Sequence, residues 1–124
     1  LGTTFGGSHL ACAAALSVIE VIEKENLMDH VKMVSTRFIE KAREIPQVKK
    51  IKGRGLMLGL EFDFEVAALR KELIYKKHIF TGAASNKKLL RILPPLNISS
   101  AQLDYFLDSL KQVLESADKK VQHV

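Results

Sequence analysis

An α+β sandwich, with a small and mainly antiparallel sheet covered by helices, is the fold class this sequence predicts. Three observations predict it. Apolar residues at helical spacing alternate with short strand-like runs, in the order helix, helix, strand, strand, helix, strand, strand, helix. Residues 56–62 alternate with a period of two, so that Leu56, Leu58, Leu60 and Phe62 share one face, opposite Met57, Gly59 and Glu61. The 124 residues, 47% hydrophobic and 27% charged, have the mix of one ordinary globular domain. That mix excludes a disordered tail or a collagen-like repeat. No apolar stretch approaches the ~20 residues of a membrane-spanning helix.

Residues 1–8 read as a loop rich in Gly and Thr. Residues 9–24 read as a helix whose first half, Ala11-Cys12-Ala13-Ala14-Ala15-Leu16, is small and apolar on every side. A helix apolar all round is expected to be buried all round, and its small side chains suit close packing against something larger than this domain. Cys12 then reads as an inert core thiol. Asn26 is the expected N-cap of a second helix, with Asp29 favourable in the first turn. Val31, Val34, Phe38 and Ala42 recur at helical spacing until Ile45-Pro46 ends the run. Residues 48–51 are expected as a short strand and residues 52–55 as a turn before the alternating strand. A third helix spans residues 66–77. Residues 79–82 read as a brief strand, 83–88 as a small-residue loop and 89–93 as another strand, stopped by Pro94-Pro95. Ser99 with Gln102 forms a capping box for the last helix, whose stripe is Leu103, Phe106, Leu107, Leu110, Val113, Leu114 and Ala117. Residues 118–124 are polar and expected to fray. Met28, Met33 and Met57 read as core filler. Tyr75 and Tyr105 fit helix faces.

The chain carries 19 Lys+Arg against 14 Asp+Glu, a net charge of +5. The excess attracts anions. The basic residues are dispersed near expected turns, where solvated lysines are the ordinary case. Aromatic residues are 6% and Trp is absent, so stacking platforms for bases are missing. Nucleic-acid binding is therefore not expected, although a stand-alone basic binding module for nucleic acid or a protein partner is the alternative reading. A single cysteine fits a reducing compartment. The chain opens Leu-Gly-Thr-Thr, with no recognisable signal peptide.

Three places could carry chemistry. Gly2-Thr3-Thr4-Phe5-Gly6-Gly7-Ser8 combines hydroxyls and glycines directly before a helix, with no acid nearby. Such a loop can take a phosphate, and it can equally be a helix-entry loop with Ser8 as N-cap. Arg91 stands between apolar neighbours and needs an anionic partner. That partner is either Glu61 or a ligand carboxylate held in a bidentate fork. Gly53-x-Gly55-x-x-x-Gly59 leads into a strand rather than a helix, so it reads as a hairpin turn and not as a dinucleotide loop. His9 lies beside the anion loop and is a weak candidate. The four histidines show no metal-ligand spacing, and no metal is expected.

The segment from Gly2 to Leu16 resembles the Gly-Ser/Thr-Thr-Tyr/Phe-Gly-Gly-Asn-Pro-Leu-Ala segment of class III aminotransferases. Gly53-Arg-Gly-Leu-Met-Leu-Gly-Leu-Glu61 is similar to their Gly-x-Gly-Leu-Met-x-Gly-x-Glu segment. Leu90-Arg-Ile-Leu-Pro-Pro-Leu96 is similar to their Arg-x-x-Pro-Pro-Leu segment. Within the family the chain most resembles acetylornithine aminotransferases, an impression strengthened by Ile79-Phe-Thr-Gly82. The resemblance implies pyridoxal-phosphate chemistry and the aspartate-aminotransferase fold. Residues 1–25 would be the active-site loop and linking helix, and residues 26–124 the C-terminal small domain. It implies a cytoplasmic homodimer that moves an amino group between N-acetylornithine, or a related ω-amino acid, and 2-oxoglutarate in arginine biosynthesis. The threonine matching Thr4 binds the cofactor phosphate of the neighbouring subunit, with Thr3 beside it. The arginine matching Arg91 binds the substrate α-carboxylate. The catalytic lysine lies upstream of the Gly-Thr-Thr motif in the family, and no lysine of this chain occupies that place. The chain alone is therefore expected to be inactive. Ser8-His9 departs from the commoner Asn-Pro.

Overall fold

A computed structural model describes residues 2–122. Two helices, α1 (His9–Lys24) and α2 (Leu27–Arg43), precede the hairpin β1 (Lys50–Arg54) and β2 (Met57–Glu61). Then follow α3 (Ala67–Lys77), β3 (Leu89–Ile92) and the long α4 (Ser100–Gln122). The three strands form one antiparallel sheet in the order β1-β2-β3. The expected α+β class holds.

Strand alternation divides the sheet. Leu58, Leu60, Leu90 and Ile92 point to one face and join Val34 and Phe38 of α2, Leu73 of α3, and Leu107 and Leu110 of α4 in a single buried cluster. Leu60, Leu73, Leu90 and Leu110 are wholly inaccessible. Burying one such side chain stabilises the fold by about 1.5–3 kcal/mol. The opposite face carries Lys50, Lys52, Arg54, Met57 and Arg91, all exposed. The helices thus form one layer and the sheet the other, leaving one sheet face open.

The turn of the hairpin lies later than expected. Arg54 pairs with Met57, so the two-residue turn is Gly55-Leu56, and Gly53 belongs to β1. Gly55 has φ +54, the positive φ that a type II′ turn requires at its first central residue. Gly53 has φ +110, and a Cβ there would come within 1.9 Å of the Met57 carbonyl oxygen. The strand also begins later, because the Val48 N–H is used in a turn onto Ile45 O, at 3.1 Å. The ladder opens only where Lys49 N–H donates to Glu61 O at 2.8 Å.

Four further expectations are corrected. Residues 79–82 are not a strand: only Gly82 pairs, as an isolated bridge with Arg91, because Ile79 N–H is spent closing α3 on Leu73 O at 3.0 Å. Asn26 makes no side-chain cap. It sits in the left-handed region at φ 51 with its N–H on Glu23 O, and so ends α1 rather than capping α2. Residues 118–122 stay helical, and Gln47 Nε2 donates to Asp118 Oδ2 at 2.9 Å; residues 123–124 lie outside the described residues. Met28, Met33 and Met57 are exposed rather than core filler.

Helix α1 is uncovered within this chain. It has no buried residue in this chain. Leu10 is 83% exposed and Leu16 60%, and Cys12 is exposed rather than a core thiol. Helix α1 packs on α2, and only along one side.

Candidate functional site

The Gly/Thr loop is held by local bonds. Ser8 accepts at Oγ from Ala11 N–H at 3.2 Å, and Ser8 N–H donates to Phe5 O at 3.3 Å. Ser8 is therefore the N-cap of α1. Thr3 Oγ1 lies 2.2 Å from where a Cβ on Gly6 would stand, so Gly6 makes room for that hydroxyl to fold over the turn. Gly7 turns the chain at φ +77. Thr3 and Thr4 are exposed, and the first turn of α1 has no acid. The two sequence readings of this loop are compatible. Ser8 occupies one helix N–H with its own hydroxyl, while the Thr3 hydroxyl folds over Gly6 and both threonines remain exposed. Two exposed hydroxyls, a turn with no side chain at Gly6 and the absence of a nearby acid in the helix fit a phosphate monoester.

Arg91 stands on β3 between two glycines. Gly59 is its cross-strand partner on β2. On the other side Gly82 N–H donates to Arg91 O at 2.8 Å, and Arg91 N–H donates to Gly82 O at 3.2 Å. The side chain is exposed rather than buried, so the cost expected of an interior guanidinium does not arise. Glu61 is not its partner. Lys52 Nζ holds the Glu61 carboxylate at 2.6 Å. That hydrogen bond, against the opposing effect of desolvation, keeps the Glu61 carboxyl below its usual pKa. Lys52 and Arg91 both stand opposite Gly59, on either side of β2, so each is diagonal to Glu61 by two positions, and it is Lys52 that reaches the carboxylate. Among the described residues Arg91 has no ion pair.

Arg91 instead borders an open cleft of about 390 Å³. Apolar side chains, among them Phe80, Leu93 and Phe106, make its walls, with Thr81, Gln102 and Tyr105 as polar residues beside Arg91 and no acid in the lining. Phe80 is 82% exposed and Leu93 60%. Segments on either side are fixed. Arg70 Nη2 donates to Thr81 O at 2.9 Å. His30 Nε2–H donates to Ile98 O at 2.7 Å. Ser99 and Gln102 form the expected reciprocal cap, with Gln102 N–H on Ser99 Oγ at 3.1 Å and Ser99 N–H on Gln102 Oε1 at 3.0 Å. A lone guanidinium at the mouth of an acid-free apolar cleft suits a carboxylate attached to an organic chain.

The two candidates are not brought together within one chain. No residue of 2–8 lines the Arg91 cleft, and α1 packs on α2 rather than on the sheet. His9 is exposed at the start of α1. Sequence reasoning missed Gly82 and Arg70. Their roles arise from pairings between segments distant in the chain, for which only the short Thr81-Gly82 signal was present.

A family model described as aminotransferase class-III matches residues 1–114. The acetylornithine aminotransferase of Aquifex aeolicus is 40% identical over 118 residues, 91% of this chain and 29% of that protein. The ornithine aminotransferase of Brevibacillus brevis is 36% identical over 115 residues, 91% of this chain and 28% of that protein. A crystal structure of ornithine aminotransferase from Toxoplasma gondii superposes with a TM-score of 0.82 at 25% identity, over 97% of this chain and 30% of that one. The chain thus spans under a third of the length of these relatives. The reading as a stand-alone basic binding module finds no support in these likenesses. By the match over residues 1–114 and the shared fold, the chain belongs to the class III aminotransferase family, whose members depend on pyridoxal phosphate.

Proposed function

We propose that this chain is the C-terminal part of a pyridoxal-phosphate-dependent aminotransferase acting on N-acetylornithine or a related ω-amino acid, with 2-oxoglutarate as acceptor. The observation that carries this reading is Arg91: exposed, without an acidic partner among the described residues, and bordering an acid-free apolar cleft. Pyridoxal phosphate, when bound, supplies the carbonyl and the electron sink for amino-group transfer. This chain's part is binding and orientation. The Thr4 hydroxyl, with Thr3 beside it, donates to a phosphate oxygen at the exposed loop. The Arg91 guanidinium holds the substrate α-carboxylate in a fork, which fixes the rest of the substrate relative to the reacting carbon. The proton-transferring lysine is not among these residues, so the 124-residue chain alone is inactive.

The separation of the loop from the Arg91 cleft supports a site shared between subunits of a homodimer, with Thr4 serving the neighbour's cofactor. Residues 1–25 then act as the active-site loop and linking helix, and residues 26–124 as the small domain. The uncovered apolar side chains of α1 fit a helix packed on the remainder of a longer enzyme. Acetylornithine and ornithine aminotransferases both stand among the relatives. The N-acetylornithine assignment, and with it arginine biosynthesis and the cytoplasm, rests on the sequence likeness. The test is a transamination assay of the full-length protein with 2-oxoglutarate. N-acetylornithine is expected to exceed ornithine as donor. A reversed order overturns the donor assignment, and no transfer from any ω-amino acid overturns the reading itself.

A further inference from the structure

We propose that Gly82 is a positioning residue for Arg91: it forms the floor on which the guanidinium lies, and it is glycine because any side chain would displace that group. The proposal rests on the reading of Arg91 as the carboxylate clamp. Three observations carry it. First, Gly82 and Arg91 exchange both backbone hydrogen bonds, at 2.8 and 3.2 Å, so their Cα atoms are held in fixed register. Second, a Cβ built on Gly82 would stand 2.7 Å from Arg91 Nε, 3.2 Å from Arg91 Cβ and 3.4 Å from Arg91 Cζ. The arginine side chain therefore lies directly over the Gly82 backbone. Third, Gly82 does not have a positive φ, unlike Gly7, Gly53 and Gly55. Its backbone is one that alanine can adopt, so the need for glycine here is spatial and not conformational.

The floor is itself anchored. Arg70 Nη2 holds Thr81 O at 2.9 Å, and Ile79 N–H is tied to Leu73 O at 3.0 Å. Residues 79–82 thus run from the end of α3 to β3 under restraint at both ends. An arginine on a bare surface samples many rotamers, and ordering it on binding costs affinity. A guanidinium stem laid along a restrained backbone starts closer to its bound geometry. Gly82→Ala would press mainly on Nε, near the end of a flexible side chain. Its expected effect is a swung guanidinium in a folded protein.

The experiment uses the full-length enzyme with Gly82→Ala, Arg91→Ala and the double substitution. KM and kcat are measured for an ω-amino-acid donor, N-acetylornithine, and for a primary amine lacking the carboxylate. Gly82→Ala is expected to raise KM for the amino acid about tenfold, the scale of weakening one charge-assisted contact. Its kcat should change less, and the amine's KM should not move. In the Arg91→Ala background the same substitution should add nothing, because Gly82 acts through that side chain. If Arg91→Ala raises KM and Gly82→Ala does not, Gly82 has no positioning role and the clamp reading stands. An equal rise from Gly82→Ala with or without Arg91 also overturns the proposal. If Arg91→Ala itself leaves KM unchanged, both ideas fall. Should Gly82→Ala not fold, Arg70→Ala unties the floor without adding atoms. It should raise the same KM in the same direction, and an unchanged KM overturns the proposal.

Discussion

Helix α1 and the sheet-helix body are both apolar in sequence, yet they are built in opposite ways. The body buries Leu60, Leu73, Leu90 and Leu110 completely, whereas α1 buries nothing. The same contrast holds for the two candidate sites. The Thr3/Thr4 loop is shaped by bonds to residues close in sequence, Ser8 to Ala11 and Ser8 to Phe5. The Arg91 cleft is assembled from the 79–82 segment, β3, the 93–98 segment and the start of α4. Apolar composition alone therefore does not decide burial within this chain, while pairing between segments decides where Arg91 stands.

The largest expected effect separates the two regions directly. Leu60→Ala should lower unfolding free energy by about 2–5 kcal/mol, because it leaves a cavity under the sheet. Leu16→Ala on α1 should cost within about 0.5 kcal/mol in the 124-residue chain. Urea unfolding of both variants checks the pair, and a large loss from Leu16→Ala would erase the distinction. In the full-length protein the second value should rise toward the first, if α1 is covered there.

A smaller effect tests the loop. Thr4→Ala in the full-length protein should weaken retention of pyridoxal phosphate about tenfold or more, as expected from losing one hydrogen bond to a charged oxygen. Dialysis followed by absorbance of the bound cofactor measures it. Retention equal to wild type would assign the loop to capping α1 alone.

The smallest effect belongs to the surface of the body. Arg37 and Lys41 each hold Asp104 at 2.8 Å, and these hydrogen bonds bring its carboxyl from the ordinary 3.8 to about 2. A lowered folded-state pKa gives stability that is present above 3.8 and lost as pH falls toward about 2. Asp104→Asn should therefore flatten the fall in thermal midpoint between those pH values. The change should be modest, since the three side chains are partly solvated. An unchanged pH profile would mean that the pair adds nothing.

Local rules read well from the residues. Ser8 caps α1 and Ser99 with Gln102 caps α4, because each cap is settled within four residues. The alternation of Leu56 to Phe62 fixes which strand face is buried. What was not legible depends on which backbone groups pair, something the side-chain pattern does not set. The pairing of Arg54 with Met57 moved Gly53 into a strand and left the turn to Gly55-Leu56. The Ile79 N–H went to α3, so residues 79–82 gained a bridge and not a strand. Asn26 carried two signals, a cap for α2 and a left-handed stop for α1, and the second prevailed. Glu61 was a reasonable partner for Arg91 on apolar grounds alone. The diagonal neighbour on β1, Lys52, holds it instead.

The proposed role of Arg91 is to take a ligand carboxylate. The most direct measurement is the affinity of the full-length protein for its amino-acid substrate, with and without Arg91→Ala, compared with an amine lacking the carboxylate. Losing a charge-assisted contact of about 1.5–3 kcal/mol predicts a weakening of about 10- to 150-fold for the amino acid and none for the amine. Equal affinities for the amino acid in wild type and Arg91→Ala would contradict the claim.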